Sequence, residues 1–316
     1  MSNDVVLAFD TSNYTTSVAI MSIDGELIAN RKQLLPVKEG ERGLRQSDAL
    51  FSHTVNLPVI MSELSPLLSD KRVVCIGVSD KPRAVEGSYM PCFLAGVSAA
   101  QSTAAALGVP LYRFSHQDGH IMAALFSSDA EHLIGTSFAA LHVSGGTTEL
   151  LRVTPSEEHF AVECVGGTAD LNAGQIIDRV GVYMGMPFPS GPHVEREALL
   201  NTAPVPKRKI SRNGLSVNLS GLENIAKGVF DKTSDKALTS MLVLDYIGRA
   251  ISDMCNAYTE KYGDEPFVFA GGVMSNSIIK KMLADGREAR FAEPVLSSDN
   301  AVGTARLALK RYLSER

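Results

Sequence analysis

An internal echo constrains this chain more than any other feature. Residues 5–33 read VVLAFDTSNYTTSVAIMSIDGELIANRKQ, and residues 138–167 read FAALHVSGGTTELLRVTPSEEHFAVECVGG. Each is an apolar strand, a small-residue polar turn containing Thr-Thr, a second strand, a short turn and a third strand. Asp24-Gly25 marks the tight turn of the first copy. Behind each trio the pattern changes to alternating helices and short β-branched strands. The first half predicts a helix near 48–68, the strand VVCIGVS, a helix near 93–107, the strand PLYRFS and a helix from 117. The second predicts helices near 172–185, 221–232 and 238–262, then the strand PFVFAGG and closing helices. Such alternation predicts an α/β fold of mixed sheets covered by helices. Repetition at about 130 residues predicts two similar lobes, 1–127 and 128–299, with the closing helix 300–316 free to return to the first. The join falls near SSDAEHLIGTS without a low-complexity linker, so a cleft between intimate lobes is expected.

Composition narrows the function classes. The 316 residues contain no tryptophan and 6% aromatics, which disfavours extended stacking on single strands of nucleic acid. A net charge of −5 gives no broad electrostatic grip on nucleic acid. The four cysteines, Cys75, Cys92, Cys164 and Cys255, are scattered without a CxxC pair, as in a reducing compartment. The N-terminus lacks a basic segment and no apolar run approaches about 18 residues, so a cytoplasmic protein without membrane contact is expected.

Three strand ends carry polar turns. VSGGTTE (143–149) and FAGGVMSN (269–276) place paired glycines there, and FDTSNYTTS (9–17) offers Asp, Ser, Asn and Thr in the same role. Glycine lets backbone N–H groups approach phosphate oxygens, and a following helix N-terminus favours negative charge. Neither glycine turn is a Walker A motif and no GxGxxG follows a strand. Three such turns in a duplicated frame nonetheless point to a nucleotide held between the lobes. Asp178, in the helical run NAGQIIDRVG, could take a ribose hydroxyl or a hydrated Mg²⁺, or be a solvated helix face; Gly191 lies in the Pro-rich turn beyond it. SHQDGH sets His116 and His120 four apart, on one helix face, as two metal ligands or two surface histidines. Gln117 stands where a zinc protease would carry its general base. In SSDNAVGTA, Ser298 or Asp299 reads as a helix N-cap, with Asp299 a possible third ligand.

Taken in order, SHQDGH, HVSGGTTEL, NAGQIIDRVG, PFPSGP, LSGLEN, FAGGVMSN and SSDNA resemble the TsaD (Gcp) family of the actin-like ATPase superfamily. The resemblance implies two duplicated actin-like (ASKHA) lobes. It implies transfer of threonylcarbamoyl from threonylcarbamoyl-adenylate to the tRNA adenosine beside the anticodon. His116, His120 and Asp299 would then hold iron or zinc. Val143, Ser144, Gly145, Gly146, Thr147, Asp178, Gly191, Gly271, Gly272 and Asn276 would hold adenine nucleotide or acyl-adenylate, with Mg²⁺ as a further candidate. Implied partners are an adenylate-forming enzyme, an actin-like accessory protein and tRNA. No catalytic acid or base is assigned.

The chain also departs from the family. The first turn, Glu-Thr-Ser-Cys-Asp-Glu-Thr in the family, is Asp10-Thr11-Ser12-Asn13-Tyr14-Thr15-Thr16, so both later acids are gone. Gln175 replaces the Glu that precedes Ala-Phe-Asp in the family. DKPRAVEGSYMP (80–91) and EGERGLRQSDALFSH (39–53) replace two family segments and bring Arg42, Arg45, Lys81 and Arg83. A relative with a retained donor site and a different acceptor is the alternative reading, and a non-catalytic actin-like scaffold a third. A metalloprotease is disfavoured because no general base stands beside the histidines.

Overall fold

The first strand, β1 (Asp4–Asp10), is buried over Val5–Asp10, and the second, β2 (Thr15–Ser22), is buried throughout. Strands so apolar, or lined with such small residues, need cover on both faces, and the rest of the chain supplies it. The computed structural model describes residues 3–12, 14–36, 44–156 and 160–316. They divide into unit 1, Met1–Phe126 with Ser298–Arg316, and unit 2, Ser127–Ser297. Asp299, assigned to the second segment by the sequence boundary, therefore belongs to unit 1.

Unit 1 continues with β3 (Leu27–Leu34), α1 (Gln46–Leu68), β4 (Arg72–Lys81), α2 (Phe93–Leu107), β5 (Leu111–Ser115) and α3 (His116–Ser127). Its sheet order is β3-β2-β1-β4-β5. The first three strands are antiparallel neighbours; β4 and β5 run parallel to β1. Leu7, Phe9, Val18, Ile20 and Ile76 pack with Leu57, Ile60 and Leu64 of α1 and Ala100 and Ala104 of α2.

Unit 2 contains β6 (Phe138–Val143), β7 (Thr148–Pro155), β8 (Phe160–Thr168), α4 (Ala173–Tyr183), α5 (Gly191–Ala198), β9 (Ser211–Asn213) and β10 (Ser216–Asn218). It goes on through α6 (Ser220–Thr233), α7 (Lys236–Tyr262), β11 (Phe267–Ala270), α8 (Ser277–Ala284) and β12 (Ala289–Phe291). Within its sheet, β8-β7-β6-β11-β12 repeats the order and directions of unit 1, and β10 and β9 extend it beyond β8. The duplication read in the sequence is thus a duplication of topology. The buried α7 residues Leu244, Ile247, Ile251 and Met254 form the spine of this core with Ile176, Val180 and Phe269.

The last helix, α9 (Val302–Ser314), packs on β4, β1 and β2 of unit 1. Gly303 meets α3 so closely that a Cβ there would collide with the Gly119 carbonyl. That approach brings the segment before α9 beside the first turn of α3. No described helix is long and apolar enough to cross a membrane.

Candidate metal centre and nucleotide pocket

Why α3 starts at His116 is visible in SHQD. Ser115 Oγ donates to Asp118 Oδ2 at 2.7 Å, and Asp118 N–H returns to Ser115 Oγ at 3.1 Å. This reciprocal cap fixes the first turn, and His116 and His120 then share a face. Asp299 joins them from ahead of α9. It is not a helix cap, as the sequence suggested: Asn300 Oδ1 accepts from Val302 N–H at 2.9 Å, and Ser17 Oγ accepts from Ala301 N–H. With those N–H groups satisfied, the Asp299 carboxylate faces the imidazoles instead.

One donor atom from each of His116, His120 and Asp299 lies within 4.8 Å of the others. The two histidine Nε2 atoms are 2.9 Å apart, and Asp299 Oδ1 is 3.1 Å from His120 Nε2 and 3.5 Å from His116 Nε2. Ligands at the usual 2.0–2.1 Å from a tetrahedral ion sit roughly 3.3 Å from one another, so these separations fit a single ion. Two imidazoles and one carboxylate suit zinc or iron and leave coordination positions open.

Asp10 is the participant that the sequence reading missed. Its Oδ2 lies 2.8 Å from His116 Nδ1 and accepts from Ser79 Oγ at 2.9 Å. A carboxylate on the far nitrogen fixes the tautomer that presents Nε2. Its only sequence signal was an acid at a strand end, credited to the phosphate-type turn. That turn is closed on itself instead: Thr11, Ser12, Thr15 and Thr16 are buried, and Thr11 Oγ1 donates to the Cys92 carbonyl. Asn13 lies outside the described residues.

The charges agree with this geometry. Burial pulls His116 down, but Asp10 and Asp299 outweigh it and raise its pKa to about 10. Burial pushes Asp299 up, yet its hydrogen bonds to His116 and His120 hold it far below the usual carboxylate range. Asp10, likewise opposed by burial, is lowered by His116. A proton on His116 thus offsets one of the two carboxylate charges, and metal loading would displace it.

Behind this centre, His53 of α1 is fully buried. Its Nδ1 lies 2.8 Å from Thr16 Oγ1, which also accepts from Asn56 Nδ2 at 3.1 Å. Which of Thr16 Oγ1 and His53 Nδ1 donates depends on the imidazole tautomer, and His53 Nε2 has no partner among the described residues. Burial, opposed only by the charge of Asp10, lowers the His53 pKa to about 4.

Unit 2 holds a cavity of about 330 Å³ lined by Gly145, Asp178, Gly191, Gly272 and Asn276, all expected from sequence, and by Gly174, Ser275 and Glu195, which were not. A Cβ on Gly145, Gly191 or Gly272 would meet nothing within 4 Å. Val143, Ser144, Gly146, Thr147 and Gly271 do not line it. Ser144 Oγ accepts from Gly146 and Thr147 N–H, and Gly271, at φ +102°, sits where a Cβ would strike the Val143 carbonyl. Asp178 Oδ1 accepts from Ser190 N–H at 2.7 Å, so it holds the Pro-rich turn as well as facing the cavity. Asn276 Oδ1 caps α8 through Ile278 and Ile279 N–H. Glu195 Oε1 accepts from Ser277 N–H at 2.8 Å and its hydroxyl at 2.5 Å; a lone Glu in an amphipathic helix gives no signal of this.

Of the cations that mark the departures, Arg45 precedes α1 and is exposed, Lys81 ends β4 half-buried, and Arg83 is exposed. Arg42 lies outside the described residues. Tyr14 is half-buried, its carbonyl accepting from Leu35 N–H.

Two sheets of this order define an actin-like, ASKHA-type α/β protein. Full-length HypF, solved in a phosphate- and nucleotide-bound form, has a similar fold: TM-score 0.58 at 12% identity, over 96% of this chain and 55% of that one. Residues 51–306 match the family model TsaD, described as tRNA N6-adenosine threonylcarbamoyltransferase. Relatives of that description are 29% identical in Sulfurihydrogenibium sp. (strain YO3AOP1), over 98% of this chain and 90% of the relative. The identity is also 29% in Streptococcus suis (strain 05ZYH33), over 100% and 94%. The chain belongs to the TsaD family, a family of transferases.

Proposed function

We propose that this chain transfers a threonylcarbamoyl group from its adenylate to N6 of a tRNA adenosine, with a divalent transition metal, zinc or iron, on His116, His120 and Asp299. The observation that carries the reading is the convergence of those three donors, backed by Asp10, in a chain of this family. A bound metal would supply Lewis acidity and a charge to orient the donor. The transfer forms a bond from N6 to the carbamoyl carbon and breaks that carbon's bond to the AMP phosphate oxygen, with one proton leaving N6. AMP is a good leaving group, so the protein's main task is positioning. Asp10 orients His116. The cavity at Gly145, Gly272 and Asp178 would receive the adenosine phosphate end, where bare glycines admit close backbone approach.

An adenylate-forming enzyme must supply the donor. An accessory protein would find an apolar stripe on α1, where Phe51, Val55 and Val59 are 70%, 51% and 50% exposed at helical spacing. Tyr14 and Thr15 replace family acids with weaker hydrogen-bonding groups, which favours slow turnover on ordinary tRNA or another acceptor. A pure scaffold has no need of the ligand set.

The test is reconstitution of metal-loaded protein with the adenylate-forming enzyme, ATP, bicarbonate, threonine and unmodified tRNA, followed by nucleoside analysis. Threonylcarbamoyladenosine that depends on this chain and disappears in His120→Ala supports the reading. Donor consumed with no modified nucleoside, across a panel of tRNAs, would falsify it.

A further inference from the structure

The strands β9 and β10 lie outside the five-strand order that the two units share; β10 sends Val217 into the core, whereas β9 is exposed along its length. Ser211, Arg212 and Asn213 are exposed, as are Lys207, Arg208 and Lys209 ahead of them. Within unit 2, Arg152, Arg179, Lys227 and Arg249 each lie against a carboxylate. Lys207, Arg208, Lys209 and Arg212 have none within 4.0 Å among the described residues. Four unpaired cations within six positions repel one another, in a chain whose net charge is −5. Stability does not account for them.

The backbone that presents these charges is nevertheless fixed. Arg249 Nη1 donates to the Arg208 carbonyl at 3.0 Å and the Tyr246 hydroxyl to the Lys209 carbonyl at 3.4 Å. Asn218 Nδ2 reaches Ser211 Oγ across the hairpin at 2.9 Å. At its base, Asp170 accepts from Leu219 and Ser220 N–H at 2.8 and 3.1 Å, and the same loop leads into α4, which carries Asp178 of the cavity. The basic hairpin is therefore built onto the framework of the unit 2 cavity.

We infer that residues 207–214 are a docking surface for the sugar–phosphate backbone of the RNA acceptor. The inference rests on the tRNA reading above and adds where that substrate is held. The segment KRKISRNG has no aromatic residue on which to stack a base, so it positions the chain of phosphates without reading sequence. An acidic protein would meet the same charges, but its carboxylates are spaced less regularly than phosphates.

The experiment titrates unmodified tRNA against the wild-type protein and a Lys207→Glu, Arg208→Glu, Lys209→Glu variant at several salt concentrations. Nucleotide binding to the unit 2 cavity reports that the variant is folded. The expected result is at least about tenfold weaker tRNA binding, with the log–log salt slope shallower by about 2 to 3. A Lys207→Gln, Lys209→Gln variant should show a smaller loss of the same kind. Unchanged tRNA affinity and slope would overturn the docking surface while wild-type modification of tRNA left the functional reading intact. Wild-type protein that neither binds nor modifies tRNA overturns both. A triple variant that keeps tRNA but releases an acidic protein partner overturns the RNA assignment.

Discussion

The turn after the first strand of each unit is the same element treated in opposite ways. In unit 1, between β1 and β2, its side chains fill it: Thr11, Ser12, Thr15 and Thr16 are buried, and Asp10 reaches His116. In unit 2, between β6 and β7, Gly145 and Gly146 leave open space where Cβ atoms would be, and Ser144 closes the turn through backbone N–H groups. One frame thus yields a centre made of ionisable side chains and a cavity lined in part by bare glycine backbone. Topology sets where a site can be; the residues at the strand ends decide whether the turn serves itself or a ligand.

The largest test of that contrast is His116→Ala. Metal affinity should fall by more than about 100-fold, because loss of a direct ligand exceeds the 10–100-fold typical of an outer partner, whereas Gly145→Val should keep its metal. Elemental analysis after dialysis reads both, and equal metal content in His116→Ala would break the comparison. Next, Gly271→Ala should destabilise the fold by about 3 kcal/mol, since it forces a Cβ toward the Val143 carbonyl at a positive φ. Denaturant melts within error of wild type would show that the backbone behind the cavity is less rigid than its geometry indicates.

The third test is a pH profile, and it belongs to unit 1. His53 is the one fully buried histidine among the described residues. Its folded pKa of about 4 lies below the ordinary 6.5, so the unfolded chain binds the extra proton between those values. The stability is present above pH 6.5 and lost as pH falls toward 4, by about 3 kcal/mol in all. His53→Gln should flatten this slope, at some cost in stability at neutral pH; parallel curves for the two proteins would contradict it. The smallest effect is expected from Gly272→Val. With nothing within 4 Å of its Cβ, stability should change by about 0.5 kcal/mol or less, while adenine nucleotide affinity drops about tenfold by calorimetry. Unimpaired binding would place the nucleotide elsewhere.

The long strands and helices were legible because apolar runs and periodicity persist over many residues. The strands β9, β10 and β12 span three residues each, too short for any period. His116 and His120 were legible as a pair by spacing alone. Asp299 was legible only through the duplicated frame and the family resemblance, because Ser298, Asp299 and Asn300 are all capping types and the packing of α9 on α3 selects among them. Asp10 and Glu195 were invisible as site residues for the converse reason: their partners, His116 and Ser277, are 106 and 82 positions away.

That separation in sequence also sets an order of assembly. His120 and Asp299 are 179 residues apart, with unit 2 encoded between them. During synthesis at about 5–20 residues per second, the two histidines leave the ribosome roughly ten to forty seconds before the carboxylate that completes their set. Until then α3 carries the imidazole pair alone, with Gly119 lacking the α9 residue that packs on it. On the proposed reading, metal capture would therefore be an event of the finished unit 1, and a chain interrupted anywhere within unit 2 would lack the third of the three donors.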